Sequence, residues 1–224
     1  MSRVKVKICG VRSLEEAEAA LEAGADALGF NFWPQSPRYI SPRAASEIIN
    51  HLSPVVSAVG VFVNEEASRI IDIASEVRLT AVQLHGDESP EFCRRLGSIK
   101  TIKAIRVGQD FDLSVIESYP VSMVLLDSAI RGSYGGTGQR FDWRIAIEAK
   151  RFARIILAGG LTADNVWEAV THVRPAAIDV CSGVEAEPGR KDLDKLRRFM
   201  AIVARANALI ASETEGNPGG VRCL

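Results

Sequence analysis

Apolar and polar residues alternate along this chain in two rhythms. At the start, Val4, Val6 and Ile8 interleave with Lys5, Lys7 and Cys9, the period-2 pattern of a strand with two unlike faces. Seven further short apolar runs follow: "ALGFNF" (27–32), "AVGVFV" (58–63), "AVQLH" (81–85), "TIKAIR" (101–106), "MVLLD" (123–127), "RIILA" (154–158) and "AAIDVC" (176–181). With "VKVKIC" (4–9) they predict eight strands. The intervening segments keep helical spacing. Leu14, Ala17, Leu21 and Ala25 recur through and just past "SLEEAEAALEAG" (13–24), with Ser13 placed to cap it. "SPRAASEIINHL" (41–52) sets Pro42 at the first helical position after Ser41. "NEEASRIIDIAS" (64–75) and "DLDKLRRFMAIVARA" (192–206) fit the same template.

Strands joined through helices by short links return parallel to their predecessors. Eight such units in 224 residues predict a single (β/α)8 TIM barrel, an eight-stranded parallel α/β fold, over residues 1–210. An open doubly wound sheet is the alternative, but "CGVRS" after the first strand is not the glycine loop such a sheet uses to hold a nucleotide. The end, "ASETEGNPGGVRCL" (211–224), loses periodicity and reads as a disordered tail.

Composition narrows the function classes. With 47% hydrophobic residues, a disordered chain is excluded. A net charge of −1 with scattered basic residues points away from nucleic acid and membrane surfaces. No signal-peptide core and no run near the roughly 20 apolar residues of a membrane span is present. The four cysteines, Cys9, Cys93, Cys181 and Cys223, lack the spacing of a metal site or a disulfide scaffold. The expectation is a reduced, cytoplasmic domain of enzyme size, present as a monomer or homodimer.

In a barrel, chemistry belongs at the C-terminal strand ends. If Val4, Val6 and Ile8 face the helices, then Lys5, Lys7 and Cys9 face inward. A buried lysine needs an anion, and strand eight, adjacent to strand one in a closed barrel, offers Asp179. A Lys7–Asp179 pair is therefore predicted beneath the site, and Lys7 is expected to favour the Cys9 thiolate. Asp127 ends strand six and precedes the long glycine-rich "SAIRGSYGGTGQRF", with the composition of a mobile flap. Gly159-Gly160 after strand seven and Ser182-Gly183 after strand eight lie where barrels bind phosphate through backbone N–H groups. Arg38, in a proline-stiffened loop, is suited to grip a carboxylate with two hydrogen bonds. His85 ends strand four and reads as a hydrogen-bonded supporting residue.

Taken in order, "VKICG", "GADALGFNFWPQSPRYI", "VGVFVNE", "AVQLHGDE", "LLDS…GGTGQRFDW", "LAGGLTADNV" and "DVCSGVEAEPGRKD" resemble the phosphoribosylanthranilate isomerase family of tryptophan biosynthesis, from about Lys5 to Val203. The resemblance implies a cofactor-free Amadori rearrangement on a (β/α) barrel. It implies that Cys9 is the general base, Asp127 the general acid and Arg38 the contact to the anthranilate carboxylate. Gly160, Ser182 and Gly183 would fall in the phosphate loops. Gly159, His85 and Asp179 complete the expected substrate-binding set. One departure stands out: Cys181 replaces the serine or asparagine of the family pattern. Rival readings are the sister isomerase of histidine biosynthesis, which carries an aspartate where Cys9 stands, and a phosphate-binding barrel without catalysis.

Overall fold

The structure, a computed structural model, describes residues 3–108, 111–128 and 141–215. Its strands are β1 (Lys5–Cys9), β2 (Ala27–Asn31), β3 (Ser57–Phe62), β4 (Ala81–Leu84), β5 (Thr101–Val107), β6 (Met123–Ser128), β7 (Ile155–Leu157) and β8 (Ala177–Val180). Each pairs in parallel with its sequence neighbours, and β8 returns to β1 to close the barrel. Helices α1 (Leu14–Glu22), α2 (Pro42–His51), α3 (Ala67–Val77), α4 (Pro90–Arg95), α5 (Val115–Ser118), α6 (Trp143–Ala149) and α7 (Val166–Glu168) lie between strands. After β8 comes a small hairpin of β9 (Glu185–Glu187) and β10 (Arg190–Lys191), then α8 (Leu193–Glu215). The eight predicted strands and the closed barrel are all present.

Local chemistry sets the helix starts. The hydroxyls of Ser13, Ser41 and Ser89 accept the N–H groups of Glu16, Ala44 and Phe92, supplying acceptors that a first helical turn lacks. Helix α3 begins at Ala67, three residues into its predicted segment. Asn64 there takes a left-handed φ of 50° and gives its N–H to the Glu88 carboxylate, so the chain turns before it coils.

Alternation along the strands produces two apolar layers. Ile8, Leu28, Phe30, Leu84 and Leu126 face outward and pack with Ala17, Ile70 and Phe199 of the helices. Val59, Ala81, Ile102, Leu125, Ile156 and Ala177 fill the barrel interior. Polar residues complete that interior near the mouth. Lys7 lies in register with Asp179, and its Nζ donates to Asp179 Oδ1 at 2.9 Å with both residues buried. The predicted pair is thus formed. Gly29, opposite Cys9 on β2, makes room for it: a Cβ there would stand 2.9 Å from Cys9 Sγ and 3.0 Å from Lys7 Nζ. Lys5, one step further from the mouth, is exposed.

Burial works against the Lys7 charge, but Asp179 and Cys9 outweigh it and hold the ammonium above its ordinary pKa. Burial pushes Asp179 up to about 6, with Lys7 pulling the other way. One buried ammonium therefore serves two acids.

One boundary needs correction. Helix α8 runs to Glu215, so residues 211–215, expected in the tail, are helical; Ala206 and Ile210 stay buried against the shell and carry the helix past 210. The rest of the expected tail, 216–224, and the glycine-rich segment 129–140 lie outside the described residues. No described helix is long and apolar enough to cross a membrane.

Removing one partner of a buried ion pair strands the other. Lys7→Met is expected to lower unfolding stability by about 3–5 kcal/mol, measured by urea titration near pH 7. The double variant Lys7→Met/Asp179→Leu should recover most of that loss. A double variant no more stable than Lys7→Met would show that the pair is not the energetic unit.

Candidate active site

The C-terminal strand ends surround an open cleft, the place where barrels bind their small-molecule ligands. Cys9, Arg38, His85, Asp127, Gly159, Gly160, Asp179 and Ser182 all line it. Gly183 is not among the lining residues; it packs against Leu161, which is. The residues singled out in the sequence therefore converge on one mouth.

Cys9 is the last residue of β1 and is buried. Its thiol is held well below the ordinary range. The largest cause is a hydrogen bond with the Cys181 thiol; burial opposes it, and Lys7 and then Lys191 add their positive charge. Lys7 thus acts in the expected direction but is not the leading influence. Cys181 follows β8 and also lines the cleft, and its own thiol is pushed up by the bond to Cys9 and by burial.

Asp127 faces the cleft from β6. Its Oδ1 accepts the Ser128 N–H at 2.8 Å, and Oδ2 lies 3.2 Å from His85 Nε2. His85 Nδ1 sits 2.9 Å from the Gln83 side-chain amide nitrogen. With that amide as donor, the ring hydrogen lies on Nε2 and faces Asp127. His85 is thus hydrogen-bonded on both sides, to Asp127 and to Gln83; Gln83 is buried one inward position below it and carries no signal in the sequence.

Arg38 differs from its simplest expectation. Its Nε and Nη2 donate to Glu185 at 2.9 and 2.8 Å, so a protein carboxylate already occupies two prongs of the fork. Glu185 also accepts from Lys191 Nζ at 3.0 Å. Burial disfavours the Glu185 anion, yet Arg38 and Lys191 outweigh it and hold the carboxyl below its usual range. The guanidinium is thereby fixed at the rim. The only sequence signal for Glu185 and Lys191 was the charge-rich "VEAEPGRK" after strand eight.

The glycine loops meet backbone to backbone. Gly159 and Gly160 take φ of 80° and 67°, a region costly for side-chain-bearing residues. A Cβ on Gly159 would also stand 2.6 Å from Ser128 N and 2.9 Å from Asp127 Oδ1. A Cβ on Gly183 would lie 1.8 Å from the Leu161 carbonyl oxygen, so the turn after β8 packs directly on the loop after β7. Asn165 ties that loop down, accepting the Thr162 N–H at 2.9 Å and donating to the Gly160 carbonyl at 2.8 Å.

The family profile described as N-(5'phosphoribosyl)anthranilate (PRA) isomerase matches residues 6–201. The chain belongs to this family. It is 54% identical over 198 residues to the N-(5'-phosphoribosyl)anthranilate isomerase of Trichlorobacter lovleyi, covering 88% of this chain and 96% of that protein. The crystal structure of phosphoribosyl anthranilate isomerase from Thermotoga maritima superposes with a TM-score of 0.83 at 45% identity, covering 90% of this chain and 99% of that one. A further phosphoribosyl anthranilate isomerase structure, in complex with reduced 1-(o-carboxyphenylamino)-1-deoxyribulose 5-phosphate, gives a TM-score of 0.81 at 45% identity, with the same coverage. Membership in the phosphoribosylanthranilate isomerase family agrees with both the barrel and the cleft.

Gly183→Ala drives a methyl group into the Leu161 carbonyl. It is expected to destabilise the fold by about 1–3 kcal/mol in urea titration and to weaken competitive inhibition by inorganic phosphate. An unchanged midpoint with unchanged phosphate inhibition would contradict the tight packing of the two loops.

Proposed function

We propose that Cys9 is the general base and Asp127 the general acid of the family reaction in this chain. The chain is an isomerase of tryptophan biosynthesis, converting N-(5-phosphoribosyl)anthranilate to 1-(2-carboxyphenylamino)-1-deoxyribulose 5-phosphate. The conversion is an internal redox change: the first sugar carbon is reduced as the second is oxidised. No external electron carrier enters its balance.

The observation that carries the assignment is the placing of the two groups. Cys9 on β1 and Asp127 on β6 lie three strands apart around one cleft, with the glycine loops after β7 and β8 on the arc between them. A sugar phosphate anchored by its charged end in those loops presents its ring to both side chains. Arg38, from the loop after β2, meets the anthranilate end, and its fixed guanidinium favours a carboxylate there.

The steps follow from this arrangement. The anilinic nitrogen pushes its lone pair toward the first carbon as the bond to the ring oxygen breaks, and Asp127 delivers a proton to that oxygen. The resulting iminium acidifies the hydrogen on the second carbon. Cys9, as thiolate, takes that proton, and the electron pair moves to form an enolamine. The enolamine gains a proton at the first carbon, loses one from the hydroxyl on the second, and becomes the aminoketone. His85, hydrogen-bonded to Asp127 Oδ2, holds the carboxyl toward the ring oxygen.

Cys9→Ala and Asp127→Asn should each lower kcat by about 10²–10⁴ with KM within a few-fold, followed as loss of substrate fluorescence with freshly prepared substrate. Arg38→Met should instead act mainly by raising KM. Near-normal kcat in either of the first two variants would remove that residue from its role. Binding of the product analogue with no turnover by the unaltered protein would favour a non-catalytic barrel.

A further inference from the structure

The residue at the end of β8 gives the cleft a second sulfur. Lys7 is in register with Asp179 and Ile8 with Val180, so the next step along both strands brings Cys9 beside Cys181. The inward parity of Lys7 and Asp179 sends both thiols to the same side. Both line the cleft, and each thiol shifts the titration of the other, Cys181 lowering Cys9 and Cys9 raising Cys181. The chain turns tightly there: a Cβ on Gly10, the residue after Cys9, would stand 3.2 Å from Cys181 Sγ.

A thiol has one hydrogen to give, and the surroundings decide where it goes. In this structure the Cys181 thiol points its hydrogen toward Glu185 Oε1, at a long 3.6 Å. That oxygen already accepts from Arg38 and Lys191. Lys191 Nζ also lies 3.8 Å from Cys181 Sγ, where its charge makes the sulfur a better donor. The Cys9 thiolate is the acceptor with the greater need.

We propose that Cys181 is a positioning residue for the base: its S–H donates a hydrogen bond to the Cys9 thiolate and holds that sulfur ready to take the proton. This deepens the assignment of Cys9 as base and rests on it. Lys7 and Asp179 stand beneath the two sulfurs, and Arg38, Glu185 and Lys191 stand beside them on the hairpin side. Asp127 and His85 face them across the cleft. Of these, Lys7 and Lys191 favour the thiolate along with Cys181. Cys181 supplies a directional bond in addition to charge, because its donor is fixed by the β1–β8 register.

The test uses the full-length, substrate-free protein and its variants Cys181→Ala, Cys181→Val and Cys181→Ser. Iodoacetamide modification of Cys9 is followed from pH 5 to 10, peptide by peptide, by mass spectrometry, together with the pH profile of kcat/KM. Without the donor, the Cys9 midpoint should rise by about one pH unit in the Ala variant. The Val variant, which fills the space but donates nothing, should match it. The acid limb of kcat/KM should move up by the same amount. At a pH below both midpoints, this lowers Cys9 modification and kcat/KM about tenfold. Cys181→Ser keeps an O–H donor and should restore the original midpoint.

An unchanged Cys9 midpoint in the Ala and Val variants would overturn the proposal. So would a Ser variant that shifts as far as Ala. Full turnover by Cys9→Ala would overturn the base assignment instead, and the modification midpoints would still judge the pairing of the two thiols.

Discussion

A single buried ammonium, Lys7, is the constraint on which the rest of the site depends. An uncompensated lysine charge inside a barrel costs several kcal/mol, so the interior must supply an anion at that depth. Asp179 does so across the β1–β8 seam, tying the first strand to the last at the point where the barrel closes. The same ammonium lies below Cys9 and favours its thiolate. Closure and activation therefore share one charge. Gly29 is the steric consequence, since any side chain there would fill the space that Lys7 and Cys9 use.

The far side of the mouth is organised by backbone packing. The loops after β7 and β8 approach so closely that Gly183 has no room for a Cβ, and Gly159 has none because it packs on Asp127 and Ser128 at the end of β6. That closeness leaves peptide groups as the wall of the cleft, the kind of lining the proposed phosphate site would use. Asp127 is held from β6 and the end of β4 instead: its Oδ1 accepts the Ser128 N–H and its Oδ2 faces His85. At the remaining rim, the Arg38–Glu185–Lys191 cluster keeps a guanidinium rigid without neutralising the whole mouth, because two cations share one carboxylate. On the proposed reading, three devices would hold three parts of one ligand: charge under the base, backbone around the phosphate, and a pinned arginine at the aromatic end.

Much of this could be read from the residues. One period-2 run and seven short apolar runs gave all eight strands to within a residue or two, and Ser13 and Ser41 marked two helix starts. Strand parity together with closure was enough to pair Lys7 with Asp179, although they lie 172 positions apart. Other contacts were beyond that reasoning. Glu185 reaches Arg38 across 147 positions because a hairpin folds back after β8, and nothing in the local pattern announces that return. The adjacency of Cys9 and Cys181 follows from the same register as Lys7–Asp179. Cys181 was recognised only as a departure from the family pattern, since a thiol at a strand end reads first as a small apolar residue. The end of α8 was missed for an energetic reason: burial of Ile210 sustains the helix where the sequence turns polar.

The most direct measurement is a crystal structure of this protein with the reduced, non-reacting product analogue bound. The account predicts Cys9 Sγ within about 3.5 Å of the second sugar carbon and the Asp127 carboxyl beside the oxygen released on ring opening. The phosphate should rest in the loops after β7 and β8. An analogue bound with its phosphate beside Arg38, or with Cys9 turned away from the sugar, would contradict it.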